Sequence, residues 1–129
     1  MSKRENKRAG TLLRTNLVGN CALWQLSFET ASGAAPDGAS PAGQVTLAST
    51  ASAGKMTVTF NNGVIPKAVH WASAQIREAD ANLTAKVTDY TSAGVLTVCV
   101  YSSGAQVSTN NKTIDLLMFV DTSYLATNG

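Results

Sequence analysis

Residues 55–121 read KMTVTFNNGVIPKAVHWASAQIREADANLTAKVTDYTSAGVLTVCVYSSGAQVSTNNKTIDLLMFVD, and this stretch decides the fold. It breaks into strand-like pieces, Lys55–Phe60, Ala68–Ile76, Leu83–Tyr90, Val95–Tyr101 and Thr113–Asp121. Between them stand turn residues: Asn61-Asn62-Gly63, Ser92-Ala93-Gly94, Ser102-Ser103-Gly104 and Asn110-Asn111. Met56, Val58 and Phe60 alternate with Lys55, Thr57 and Thr59, the period of a strand with one buried face. In the next piece the same period puts His70, Ala72, Ala74 and Ile76 on one face and Val69, Trp71, Ser73 and Gln75 on the other. Leu83, Ala85 and Val87 share a face in turn. Val95–Tyr101 and Thr113–Asp121 are apolar on both faces, which marks strands covered on both sides or lying at a subunit contact. Two such strands in a small domain want more cover than one chain easily supplies, and this predicts oligomerisation.

Upstream, Gln44–Ala48 forms a hairpin with Lys55–Phe60 around Ser52-Ala53-Gly54. Cys21–Glu29 alternates, with Leu23, Gln25 and Ser27 on one side and Trp24, Leu26 and Phe28 on the other, so Trp24 and Phe28 are expected in the core or at a subunit interface. Between these strands, Thr30–Ala42 is dense in Ala, Gly, Ser and Pro, and Pro36-Asp37-Gly38 reads as a turn. The loop at 30–43 is expected to be mobile or laid out over a partner's surface. Pro66 is read as closing the Asn61-Asn62-Gly63 turn. Arg77–Asn82 is an exposed connection in preference to a helical turn, and the tail from Thr122 is polar apart from Tyr124 and Leu125.

Turn signals every 8 to 13 residues or so leave the pattern of an all-β protein, an antiparallel sandwich or barrel of about seven strands. Composition agrees, since only 14% of residues are charged and the polar remainder is largely Ser, Thr, Asn and Gly, which suits short strands better than a helical bundle. One β domain over residues 20–129 accounts for it, preceded by an extended basic arm at 1–19.

Charge is placed unevenly. Lys3, Arg4, Lys7, Arg8 and Arg14 are five of the ten basic residues, and Glu5 is the only acid among the first 28 residues. A basic arm on a near-neutral body expects an anionic partner, nucleic acid or an acidic protein face. Leu12, Leu13, Leu17 and Val18 argue that the arm does more than solubilise, since an arm lying along a neighbouring subunit uses aliphatic side chains.

Chemistry of the catalytic kind is not legible. The chain has one histidine, two distant cysteines, no G-x-S-x-G, no phosphate loop and no calcium loop. The reading is a protein that is not an enzyme and holds no metal or cofactor, with Cys21 and Cys99 as free thiols. No apolar run is long enough to cross a bilayer, so no membrane partner is expected. Basic residues of the body, Lys55, Lys67, Arg77, Lys86 and Lys112, are scattered among acids without interleaved aromatics, and nucleic acid is not the expected partner.

The succession GKMTVTFNNGVIPKAVHWAS, VTDYTSAGVLTVCVYSSGAQV and TIDLLMFVD resembles the small β-sandwich domains of tailed-bacteriophage virion proteins. In these a strand ending in V-T-F leads through a turn to a proline and a second strand, and a V-x-V-Y-S-x-G strand and turn precede a final apolar strand. A short chain with its own Met1, a basic aliphatic arm and no shaft of repeats is most similar to the capsid decoration, or cement, proteins. That resemblance implies a viral structural protein, made in the host cytoplasm and carried on the capsid surface of the virion. It implies homotrimers that bridge major capsid protein subunits, the arm residues Lys3, Arg4, Lys7, Arg8, Leu12, Leu13, Arg14, Leu17 and Val18 clamping the partner. Core or subunit contacts are expected from Trp24, Phe28, Val95, Val98, Val100, Leu117 and Phe119. Two other roles stay open: a tail-fibre or head-fibre receptor-binding module using His70 and Trp71, and a small coat protein whose arm touches the genome.

Overall fold

A computed structural model describes residues 21–80 and 82–126. These residues form nine strands and no helix: β1 Cys21–Glu29, β2 Asp37–Ser40, β3 Val45–Ser49, β4 Lys55–Phe60, β5 Ile65–Ile76, β6 Leu83–Tyr90, β7 Val95–Ser102, β8 Ala105–Gln106 and β9 Thr113–Ala126. They make two antiparallel sheets. Sheet A has the order β2-β1-β9-β5, and sheet B the order β3-β4-β7-β6 with β8 beside the end of β7.

The sheets pack face to face as a β-sandwich. Leu26 and Phe28 from β1, Met56, Val58 and Phe60 from β4, Leu96, Val98 and Val100 from β7, and Ile114, Leu116, Met118 and Val120 from β9 form one buried core. Each set alternates along its strand, because successive side chains point to opposite faces. The doubly apolar strands β7 and β9 are the central strands of their sheets, flanked on both sides by hydrogen-bonded neighbours.

Four crossovers carry the chain between the sheets, at 41–44, 61–64, 77–82 and 107–112. The last is pinned by Thr30, which is buried at the end of β1. The Thr30 amide donates to the Lys112 carbonyl at 2.8 Å, its carbonyl accepts from the Asn111 amide at 2.8 Å, and its hydroxyl accepts from Thr109 Oγ1 and the Lys112 amide, both at 3.1 Å. No polar atom of this buried residue is wasted. At the start of the same crossover, Gly54 lies against the segment that leaves β8. The Val100 amide donates to the Gly54 carbonyl at 2.9 Å and the Val107 amide to the Val100 carbonyl at 3.0 Å. Gly54 has φ +76°, and a Cβ there would collide with the Val107 carbonyl oxygen.

Several expectations are corrected. The seven expected strands are all present in the sandwich, and two short ones, β2 and the two-residue β8, stand beside them. β2 arises inside the Ala/Gly/Ser/Pro stretch read as loop; it pairs with β1 only at Ser27 and Glu29, so no apolar alternation was needed to build it. Pro66 lies within β5 rather than ending a turn. β5 is an edge strand, where a residue without an N–H leaves no ladder bond broken, and the Pro66 carbonyl accepts from the Tyr90 hydroxyl at 2.9 Å. β9 continues through the tail to Ala126, with Leu125 opposite Pro66. Finally, the face assignment in Ala68–Ile76 breaks at His70. Val69 pairs with Val120 and Trp71 with Phe119, so His70 is the extra residue of a β-bulge. Val69 therefore points inward with Ala72, Ala74 and Ile76, packed on the core, while His70 and Trp71 are both exposed.

Candidate functional site

The bulge matters because of what lies beside it. Across sheet A the pairing places Leu23, Phe119 and Trp71 in one row, Gln25, Leu117 and Ser73 in the next, and Ser27, Asp115 and Gln75 in a third. All nine residues are on the face away from the core. Trp71 is 51% exposed, Leu23 46% and Leu117 38%, and these are the exposed large hydrophobic residues of the described structure. His70 stands over the same row, its ring 6.5 Å from that of Phe119. Leu23, Phe119, Trp71 and Leu117 thus form an apolar strip on one face of the sandwich.

The third row is polar and tightly held. Asp115 accepts from the Ser27 hydroxyl at 2.7 Å and from Arg77 through two bonds, Nη2 to Oδ1 at 2.7 Å and Nε to Oδ2 at 3.1 Å. The Arg77 fork holds the Asp115 carboxyl below its ordinary range, and the carboxylate in turn raises Arg77. Beside it, the Glu78 carboxylate accepts from the Thr113 amide at 2.7 Å and hydroxyl at 2.8 Å, which keeps it below the usual range despite partial burial. Lys112 and Asp80 pair at 3.5 Å. These groups brace the crossover at 77–82 against the start of β9.

The outer face of sheet B is of a different kind. Thr57, Thr97 and Asp89 lie in register there, and Lys55 and Lys86 flank Cys99. Cys99 is buried between its neighbours, while Val95, Thr97 and Tyr101 on the same side of β7 are half-buried. Cys21 and Cys99 are both free thiols and sit on opposite outer faces of the sandwich. Burial and the nearby Asp121 raise the Cys21 thiol.

The expected site residues therefore separate. Phe28, Val98 and Val100 are core. Trp24 points inward, half-buried, with its ring 5.8 Å from Phe60. Val95 is half-buried on the outer face of sheet B. Leu117 and Phe119 lie on the outer face of sheet A, where Leu23 and Trp71 join them. Those two were not singled out by sequence for this surface, and only the pairing of β1 and β5 to β9 brings them together. The arm residues Lys3, Arg4, Lys7, Arg8, Leu12, Leu13, Arg14, Leu17 and Val18 lie outside the described residues.

Among the described residues no three His, Cys, Asp or Glu side chains gather as a metal set would, and no helix is long and apolar enough to cross a membrane. No family model, curated protein or solved structure matches this chain. The site is thus characterised by its own geometry: a flat apolar row, an aromatic at a bulge, and a braced polar end.

Proposed function

We propose that this is a virion structural protein of the capsid decoration type, which docks onto the outside of a phage head through the outer face of sheet A. The observation that carries the reading is the exposed row Leu23–Phe119–Trp71 with Leu117 beside it. Aromatic side chains that become buried on association dominate protein interfaces, and a rigid sheet presents Trp71 for that role at little conformational cost. Resemblance supplies the finer statement, that the partner is the major capsid protein and that the working unit is a homotrimer bridging its subunits. A bridge that forms only on the assembled, expanded shell stabilises that state by linkage, and several copies acting together multiply a modest single contact.

The test is co-sedimentation with expanded heads. Wild-type protein is expected to bind them and raise their resistance to heat, and Trp71→Ser with Leu117→Ser to bind at least about tenfold more weakly while staying folded. Wild-type protein that neither binds nor protects heads refutes the proposal. The pairing of His70 with Trp71 at the bulge favours a second reading, a receptor-binding module that stacks a sugar on the indole. Glycan binding lost in Trp71→Ser, with no affinity for heads, would establish that reading instead.

A further inference from the structure

The apolar strip on sheet A has a relief as well as a composition. Trp71, 51% exposed, stands out from the face, and the next residue on the same side of β5 is the short, exposed Ser73. Along β9 the strip passes from Phe119 to Leu117, and along β1 from Leu23 to Gln25. A projection and a hollow therefore lie side by side, about 7 Å apart. They flank the line that crosses the sheet through Trp24, Met118 and Ala72. Beyond Leu117, the Asp115 carboxylate is already held by Arg77 and Ser27, so covering this face leaves no unpaired charge at that position.

We propose that in free solution two copies of the chain cover this strip for each other, face to face about a two-fold axis along that line. The rotation reverses the strands, so Trp71 of each copy falls over Ser73 of the other, and Phe119 over Leu117. Projection meets hollow twice, which is the self-complementarity that a two-fold contact demands. An axis along β9 would instead bring Trp71 over Leu23, the two most exposed large hydrophobic side chains of the face, and hold the sheets apart. The contact is small. Three strands at about 4.8 Å and seven residues of β9, 115–121, at about 3.4 Å give a footprint of roughly 350 Å² per copy. A stable complex needs about 800 Å² per partner, so the pair is transient, with a dissociation constant on the order of 10–100 µM. Resting on the reading that this face docks on heads, the pair is the stored form. It keeps Trp71 covered until the capsid displaces the second copy, and trimers form only on the shell.

The test is sedimentation equilibrium of the full chain without heads, from about 1 µM to about 1 mM. Four proteins are compared: wild type, Trp71→Ser, Ser73→Trp and the exchange variant Trp71→Ser/Ser73→Trp. Wild type is expected to pass from monomer to dimer, and each single variant to dimerise at least about tenfold more weakly. The exchange variant should recover most of that loss, because residues 71 and 73 face each other across the axis. A cooperative urea transition in each variant shows that all four are folded. Wild type that stays monomeric throughout, or that forms trimers, overturns the proposal. Single variants that dimerise as tightly as wild type overturn it too, as does an exchange variant no stronger than its parents. Head binding is read separately: protein that binds heads yet never pairs refutes this inference alone, and protein that pairs but ignores heads refutes the docking reading alone.

Discussion

Replacing Gly54 by alanine tests how sheet B is closed at its β8 side. The backbone at Gly54 has φ +76°, and a Cβ there would meet the Val107 carbonyl oxygen, with the Val107 carbonyl carbon at 2.8 Å and amide nitrogen at 2.9 Å. These are main-chain atoms and cannot swing away as a side chain would. A left-handed conformation costs an L-residue about 1–2 kcal/mol. Moving the two segments apart also strains the Val100-to-Gly54 and Val107-to-Val100 hydrogen bonds, each contributing about 1 kcal/mol. The expected loss is about 3 kcal/mol, a large share of the stability of about 5–15 kcal/mol typical of a domain. Gly63 is the control, because it has φ +88° and a methyl group placed on it would have nothing within 4 Å, so Gly63→Ala should cost only the conformational part, about 1 kcal/mol. In urea, with a slope of about 1.5 kcal/mol/M, the midpoints should fall by about 2 M and about 0.7 M respectively, at unchanged slope. If the two variants unfold at the same urea concentration, the close approach of Gly54 to Val107 contributes nothing and the reasoning fails.

Three further outcomes follow from side-chain contacts. Tyr90→Phe leaves the Pro66 carbonyl without its 2.9 Å donor and should lower stability by about 1–2 kcal/mol in the same assay; no change would mean that water replaces the hydroxyl there. Glu78 is held below the ordinary carboxylate range by Thr113, so its contribution is complete above the unfolded value of about 4.3 and is lost as pH falls through the lowered folded value. Glu78→Gln should therefore be less stable than wild type at neutral pH, with the gap closing in acid; a gap that persists in acid contradicts the assignment. Cys21 and Cys99 are buried free thiols, so a thiol reagent should label neither in the folded protein and both in denaturant, and rapid labelling of native protein would refute the burial.

The parts of the fold set by side-chain alternation were legible in the sequence. Met56, Val58 and Phe60, or Trp24, Leu26 and Phe28, announce a strand and its inward face without reference to any partner. β2 was not legible, because its pairing with β1 at Ser27 and Glu29 is a main-chain event on an exposed edge. The bulge at His70 was hidden for a related reason: an extra residue shows in the register with β9, not in the run of residue types. The same register hid the surface row. Leu23, Trp71 and Phe119 are far apart in sequence and become neighbours only when β9 lies between β1 and β5. The two doubly apolar strands also differ in their outward cover, since on that side β7 buries Cys99 and half-buries Val95 while β9 leaves Leu117 exposed.

The place of β9 also sets an order of events during synthesis. β3, β4, β6 and β7 complete the sheet B path by residue 102. β1 and β5 are joined in sheet A only through β9, which follows all the other described strands in sequence. A nascent chain that ends before Thr113 therefore lacks the middle of a sheet rather than its rim, and β1 waits for β9 until residues 113–121 have been made. A chain stalled on the ribosome before Thr113 should show sheet B protected and β1 still open to proteolysis, and release of β9 should close both halves of sheet A at once.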